Sequence, residues 1–341
     1  VRRILQTREL QRLRFIVQNG LGRFVYPGLE GTRFPHSLGA YHIARRLIRS
    51  LRTHQPTESD GFPSTLHIEE RDLIAFPLAA LLHDIGHGPL SHVWEHYINR
   101  TKTSKDNDNT YLYSHENWSI KLITSNLTEI GHFFSSGIKK EFPKYANIID
   151  DVVALLTDKH RLYYLHPLLS GNLDIDRLDF MVRDTRNAGV TYGFHDLDWI
   201  IRSFCFARVS PQQIVRTSHS SDEDANATDP FWTIAIDGRK GLNTLLQFIH
   251  ARESMYTLVY HHKTVHSMNI LLENIFERAR DLVTAGVNVD IISESLRKTI
   301  NGEELSVEDV VDLDDNALWM QVKRWAASSD VVLKDLASSV L

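Results

Sequence analysis

Apolar residues recur at helical spacing along most of the chain. In "SLGAYHIARRLIRSL" (37–51) they fall at 38, 41, 43, 44, 47, 48 and 51, one continuous stripe on a helix face. The segment "EERDLIAFPLAALLHD" (69–84) is apolar nearly all round, which predicts a helix buried at the centre of the fold. Pro77 inside it predicts a kink or one loosened turn. Further helices are predicted over 7–18, 114–128, 146–157, 173–183, 240–282 (with a break) and 316–339. Strand signals are few. "CFARV" (205–209), "QIVRT" (213–217) and "FWTIAID" (231–237) suit one small antiparallel sheet. Polar stretches at 53–64, 101–110 and 218–228 read as exposed loops, the last as the connection of a hairpin. The pattern therefore predicts a mainly α fold with a small antiparallel β element. From 285 onward "VNVDIISESLRKTINGEELS" breaks the preceding pattern. The expected division is a main domain over 1–284, with a β-hairpin insertion near 205–237, and a C-terminal helical subdomain over 285–341.

Composition narrows the function classes. A net charge of −5 supplies no global basic field for nucleic acid, so any phosphate site must concentrate its Arg and Lys locally. One cysteine, Cys205, rules out an internal disulfide and suits a reducing compartment, hence an expected cytoplasmic location. No apolar run approaches the ~18–20 residues of a membrane span, so no membrane partner is expected. The chain opens at Val1 rather than Met, which leaves room for a preceding segment.

Chemistry concentrates in "HDIGHGPLSH" (83–92). His83 and Asp84 close the buried helix, and Gly86, Gly88 and Pro89 stop it. Adjacent helical residues point ~100° apart, so His83 and Asp84 share an ion only at the edge between them. His87 lies one turn beyond His83. Any one of these histidines reads as a helix-end charge. Buried together with an aspartate they are costly unless paired or metal-bound. Mixed N and O ligands indicate a divalent transition metal, with Mn, Fe, Zn, Co and Ni all open. "RFPHS" (33–37) offers His36 as a further ligand, and "NLDIDRLDFMVRD" (172–184) offers several carboxylates. Asp174 reads as an N-cap and Asp184 as a helix-end charge, whereas Asp176 and Asp179 sit three apart within an apolar segment.

These words resemble one family. "QRLRFIVQNG", "VYPG", "TRFPHSLG", "ALLHDIGHGPLSH", "SHEN", "DIDRLDFMVRD" and "YHHK" occur in order between residues 6 and 284. The set resembles the HD-domain metal-dependent phosphohydrolases, in the branch of deoxynucleoside-triphosphate triphosphohydrolases. The resemblance implies an HD-domain helical fold with His36, His83, Asp84 and Asp176 as metal ligands. It places His87, His92 and His115 around the reacting phosphate, and Arg33, Arg177 and Arg252 on the triphosphate, joined by Lys263. Gln18, Asp184 and Tyr260 would face the sugar, with Tyr260 walling off a 2′-hydroxyl, and Tyr256 reads as core. Glu95, three residues after His92, suits a carboxylate that orients and charges a histidine. Two departures stand out: Phe180 where the family often has Tyr, and Glu95 where it has Asp.

The leading expectation is hydrolysis of a deoxynucleoside triphosphate to deoxynucleoside and triphosphate, with Mg on the substrate as an option. Arg33, His87 and His115 would offset charge on the equatorial oxygens, and His92, held by Glu95, would protonate the leaving 5′ oxygen. An alternative is another HD phosphohydrolase acting on nucleoside monophosphates or cyclic nucleotides. Less favoured is a non-catalytic binder of nucleotides or single-stranded nucleic acid. A homo-oligomer promoted by nucleotide near residues 11–26 is expected from the Arg-rich segment around Leu10 and Leu13.

Overall fold

A computed structural model of the chain describes residues 1–103, 113–210 and 229–341. The architecture is mainly α, as the periodicity predicts. In chain order the principal helices are α1 (Arg8–Arg12), α2 (Arg33–Thr53), α3 (Asp72–Leu82), α4 (His92–Thr103), α5 (His115–Thr124), α6 (Ile148–Leu156), α7 (Ile175–Ala188) and α8 (Leu197–Ser203). Two strands follow, β1 (Phe204–Val209) and β2 (Phe231–Ile236). Then come α9 (Gly238–Met255), α10 (Lys263–Thr284), α11 (Glu294–Asn301), α12 (Val307–Asp312), α13 (Asp315–Trp325) and α14 (Val331–Val340).

The 37–51 stripe becomes the long α2, whose Ala40, Ile43, Ala44, Leu47, Ile48 and Leu51 are all buried. It packs along α3, where every residue from Ala75 to Leu82 is buried, as its all-round apolarity demands. That helix runs unbroken from Asp72 to Leu82 with Pro77 inside. The expected 7–18 helix is shorter: α1 ends at Arg12 and tightens into a 3₁₀ turn over Leu13–Phe15. The break expected within 240–282 is a five-residue π-turn, Tyr256–Tyr260, between α9 and α10. The predicted 316–339 helix is two, α13 and α14, and α4 was not anticipated at all.

Strands β1 and β2 pair antiparallel, with Phe204 opposite Ile236 and Val209 opposite Phe231. The third expected strand, 213–217, and the 218–228 connection lie outside the described residues, as does most of the 101–110 loop. One loop expectation is corrected. Phe62, in the polar stretch 53–64, is buried because its ring meets those of Phe206 and Trp232 from the sheet at 5.1 and 5.2 Å. The apolar core is continuous from Ile4 to Val340, and Arg278 of α10 pairs with Asp330, the N-cap of α14. No helix among the described residues is long and apolar enough to cross a membrane.

Candidate active site

Four helices begin at one place. Arg33 opens α2, His92 opens α4, His115 opens α5, and Asp176 is the second residue of α7. The C-terminus of α3 arrives there too, delivering His83 and Asp84. Positive dipole ends gathered at one place suit an anionic ligand, although the N–H groups of Arg33, His115, Asn117 and Arg177 are already taken by Ile16, Glu95, Ser114 and Asp174.

Side chains from these elements form two adjoining clusters. In the first, one ligand atom each from His36, His83, Asp84 and Asp176 lie within 4.8 Å of one another. His36 Nδ1 is 2.9 Å from Asp179 Oδ2, and His83 Nδ1 is 2.9 Å from the Ala80 carbonyl. Each bond holds a proton on Nδ1 and turns Nε2 toward the centre, where a metal would have to displace any second proton. Nε2 of both rings is buried without a hydrogen-bond partner, although His36 Nε2 lies 2.9 Å from Asp176 Oδ1. Two orphaned imidazole nitrogens facing two carboxylates are the donor set a divalent transition metal takes. Burial opposes charge on His36, but the close Asp176 and Asp179 carboxylates outweigh that and push the imidazole up to about 10. The same partners hold Asp176 far below the usual carboxylate range despite its burial. Asp84 is further fixed by the Arg33 guanidinium, and it too is held low against the cost of burial.

The second cluster is His87, His92, Glu95 and His115, whose ligand atoms again lie within 4.8 Å of one another. It joins the first at Asp84, whose Oδ1 is 3.4 Å from His87 Nε2. The His87 ring stacks on His115 at 3.9 Å. Burial, with Arg33 nearby, drives the His87 pKa well down and leaves that ring neutral. Glu95 bridges the other two histidines, 2.9 Å from His115 Nδ1 and 3.4 Å from His92 Nδ1. Its tighter partner is thus His115, which the sequence reading did not pair with it. These histidine contacts hold Glu95 low despite its burial. His92 is exposed at 70% of its side chain and Glu95 at 19%.

The turn between the clusters is tightly built. At Gly86 a Cβ would run into the His115 carbonyl and the Ser119 amide, so only glycine fits. Leu90 and Ser91 both adopt left-handed backbone, φ 53° and 60°. Such a conformation costs roughly 1–3 kcal/mol per non-glycine residue and persists only where surroundings fix it.

A cavity of about 760 Å³ opens over both clusters. Gln18, Arg33, Arg177, Phe180, Tyr256 and Tyr260 contribute to its walls. His36, Glu95 and Asp184 stand behind the wall rather than in it. Tyr260 donates to Asp184 Oδ2 at 3.1 Å, while Asp184 Oδ1 and Gln18 Oε1 are buried without partners. Burial pushes the Asp184 carboxyl up to about 6. Arg177 reaches back to its own N-cap, Asp174. The structure does not bring Arg252 or Lys263 to the cavity: Arg252 lies over the Tyr256 ring at 5.4 Å, and Lys263 is exposed at the start of α10. Tyr256 corrects the sequence reading. The π-turn puts it on the cavity wall, edge-on to Tyr260 at 5.2 Å, rather than in the core. Asp179 was also missed as a partner of His36. Gly39 makes room for it, since a Cβ there would collide with its carboxylate.

Comparison with known proteins agrees with this arrangement. The family model described as HD domain matches residues 33–179, which contain His36, His83, Asp84 and Asp176. The crystal structure of a phosphohydrolase from Bacteroides thetaiotaomicron is 30% identical, with a TM-score of 0.72, over 99% of this chain and 71% of that one. The chain belongs to the HD-domain phosphohydrolases. HD domains bind divalent metals, and both clusters of this chain bring their ligand atoms close enough together to hold an ion. Among curated relatives, the uncharacterised protein YwfO of Bacillus subtilis is 28% identical over 98% of the chain and 64% of that protein. The deoxynucleoside triphosphate triphosphohydrolase SAMHD1 of Mus musculus is 28% identical over 81% of the chain and 41% of that protein. The chain thus spans less than two thirds of either relative's length.

Proposed function

We propose that this HD domain hydrolyses deoxynucleoside triphosphates to deoxynucleoside and triphosphate. The observation that carries the reading is the joining of the two clusters through Asp84 and His87, beneath a cavity lined also by Tyr260, which Asp184 braces from behind. His36, His83, Asp84 and Asp176 would hold the divalent metal. When bound, such an ion lowers the pKa of a coordinated water and polarises a phosphoryl oxygen. Arg33 and neutral His87 face the equatorial oxygens as donors, together with His115. Glu95 accepts from Nδ1 of both His115 and His92 and so orients them, and exposed His92 would protonate the leaving 5′ oxygen. Tyr260, held by Asp184, packs where a ribose 2′-hydroxyl would stand. The similarity to the mouse triphosphohydrolase supports the substrate class.

One observation favours a second reading. Of the lining residues, only Arg33 and Arg177 carry Arg or Lys side chains, and a nucleoside monophosphate or cyclic nucleotide needs no more. The deciding experiment incubates metal-loaded protein with each dNTP, NTP and dNMP and separates the products by chromatography. Inorganic triphosphate supports the proposal; orthophosphate alone gives way to the second reading.

We extend the proposal to a homo-oligomer, but not through Leu10 and Leu13, which are buried within the chain and offer no surface. Leu242, Leu246 and Ile249 form an apolar stripe along α9 that is 45–52% exposed. Light scattering with and without dNTP tests it, and a monomer under both conditions ends it.

A further inference from the structure

Asp315 is an unusual carboxylate. It is the first residue of α13, yet it does not cap that helix: the cap is Asp314, whose side chain accepts from Ala317 N at 2.9 Å. Asp315 is instead turned inward and is only 6% exposed. Its two oxygens take two backbone donors from distant segments, Leu90 N to Oδ1 at 2.7 Å and Val17 N to Oδ2 at 2.9 Å. Leu90 is the first of the two left-handed residues that precede His92. The second, Ser91, donates to the carbonyl of the same Val17 at 2.8 Å and accepts from Arg33 Nε at 2.7 Å. Arg12, itself buried, ties down the other end of this loop. Its Nη2 donates to the Ile85 and His87 carbonyls, at 2.8 and 2.7 Å, and its Nη1 to the Leu313 carbonyl at 2.8 Å. Residues 313–315 therefore reach both ends of the loop that carries His87 and leads into His92.

We propose that Asp315 is a positioning residue for the hydrolytic reaction: by holding Leu90 and Val17 it fixes the left-handed turn that aims His92, so the C-terminal helices complete the active site. The inference rests on the role given to His92 in the proposed function. Two successive left-handed residues without glycine relax when their anchors are lost. The next residue is the first of α4, so relaxation moves the imidazole directly. A displacement of about 1 Å at a reacting group costs roughly 10²-fold in rate.

The test compares full-length wild type, Asp315→Ala, Asp315→Asn and Val322→Ala. Val322 is a fully buried residue of the same helix, seven residues on from Asp315, and does not line the cavity. Readouts are metal content, Tm, kcat and KM on dNTP, and the imidazole resonances of His92. Asp315→Ala should keep its metal and a KM within about twofold while kcat falls by at least about tenfold, with a shifted His92 signal. Asp315→Asn retains one acceptor oxygen and should fall between; it also serves if the alanine variant does not fold. Val322→Ala should lower Tm yet keep kcat. A kcat loss in Val322→Ala matching that of Asp315→Ala, or an unchanged kcat and His92 signal in Asp315→Ala, overturns the inference. Should wild type release no triphosphate, the substrate reading fails separately. The His92 resonance, which needs no substrate, then decides the positioning role.

Discussion

Replacing Asp179 by Ala should weaken metal binding without removing any proposed ligand. Its Oδ2 accepts from His36 Nδ1 at 2.9 Å, and Arg183 clamps the carboxylate with two further bonds of 2.9 Å. The clamp fixes the carboxylate, and the carboxylate fixes the tautomer and the tilt of His36. Removing such an outer partner typically costs 10–100-fold in metal affinity, or about 1.4–2.7 kcal/mol. The apo protein should suffer as well. His36 is fully buried, and an unpaired Nδ1–H there costs roughly 1–3 kcal/mol. Asp179→Asn keeps a carbonyl oxygen for His36 but loses the charge facing Arg183, so its affinity should fall less. The assay is titration of the chelator-stripped protein with Mn²⁺ against a competing chelator, with Tm measured in parallel. Asp179→Ala binding metal as tightly as wild type would refute the reasoning, because neither the orientation of His36 nor its role as ligand would then survive.

Three further outcomes are expected. His92→Ala should lower kcat by on the order of 10²–10⁴-fold with little change in KM, as for a group acting in the transition state; a raised KM with kcat intact would make it a binding residue. Tyr260→Ala should admit ribonucleotides while retaining metal, since an apolar wall rejects an added hydroxyl by only about 10²-fold; equal wild-type rates on dATP and ATP would remove the wall and the dNTP assignment together. Burial pushes Asp315 up to about 6, against the pull of the Leu90 and Val17 amides. The native state then holds its proton where the unfolded chain, with a pKa of about 3.9, has released it. Its stabilising contribution is complete below about pH 4 and is lost as pH rises through 6. Chemical denaturation should therefore show wild type losing about 2 kcal/mol relative to Asp315→Asn between pH 4 and 6. A difference that stays flat over that range contradicts this account.

Much of the fold was legible because local pattern and burial coincide. The stripe in α2 and the all-round apolarity of α3 translate directly into their packing. The convergence of His36, His83, Asp84 and Asp176 was legible through the family resemblance, whereas burial alone asked for partners to His83 and Asp84 and left Asp176 and Asp179 both open. Helix α4 was less legible although Trp94, Tyr97 and Ile98 carry its spacing, because Gly86, Gly88 and Pro89 just before it signal a turn. Phe62 looked like part of a polar loop because what buries it, Phe206 and Trp232, lies far along the chain. Asp315 is the extreme case. Its hydrogen-bond partners lie 225 and 298 residues away, and within its own segment it resembles any acidic residue in a first helical turn. Arg252 and Lys263 show the reverse limit, for the right residue type in the right motif still has to face the cavity.

The π-turn at Tyr256–Tyr260 has a consequence for how this pocket can change. A wide turn of this kind amounts to one extra residue wound into an α-helix. Here it presents both tyrosines to the cavity while α9 and α10 continue on either side. Loss of a single residue from this stretch would restore ordinary winding and rotate one tyrosine out of the wall, leaving the His/Asp clusters untouched. Chain length at this one point is thus a means of reshaping what the cavity accepts, independent of the chemistry beneath it.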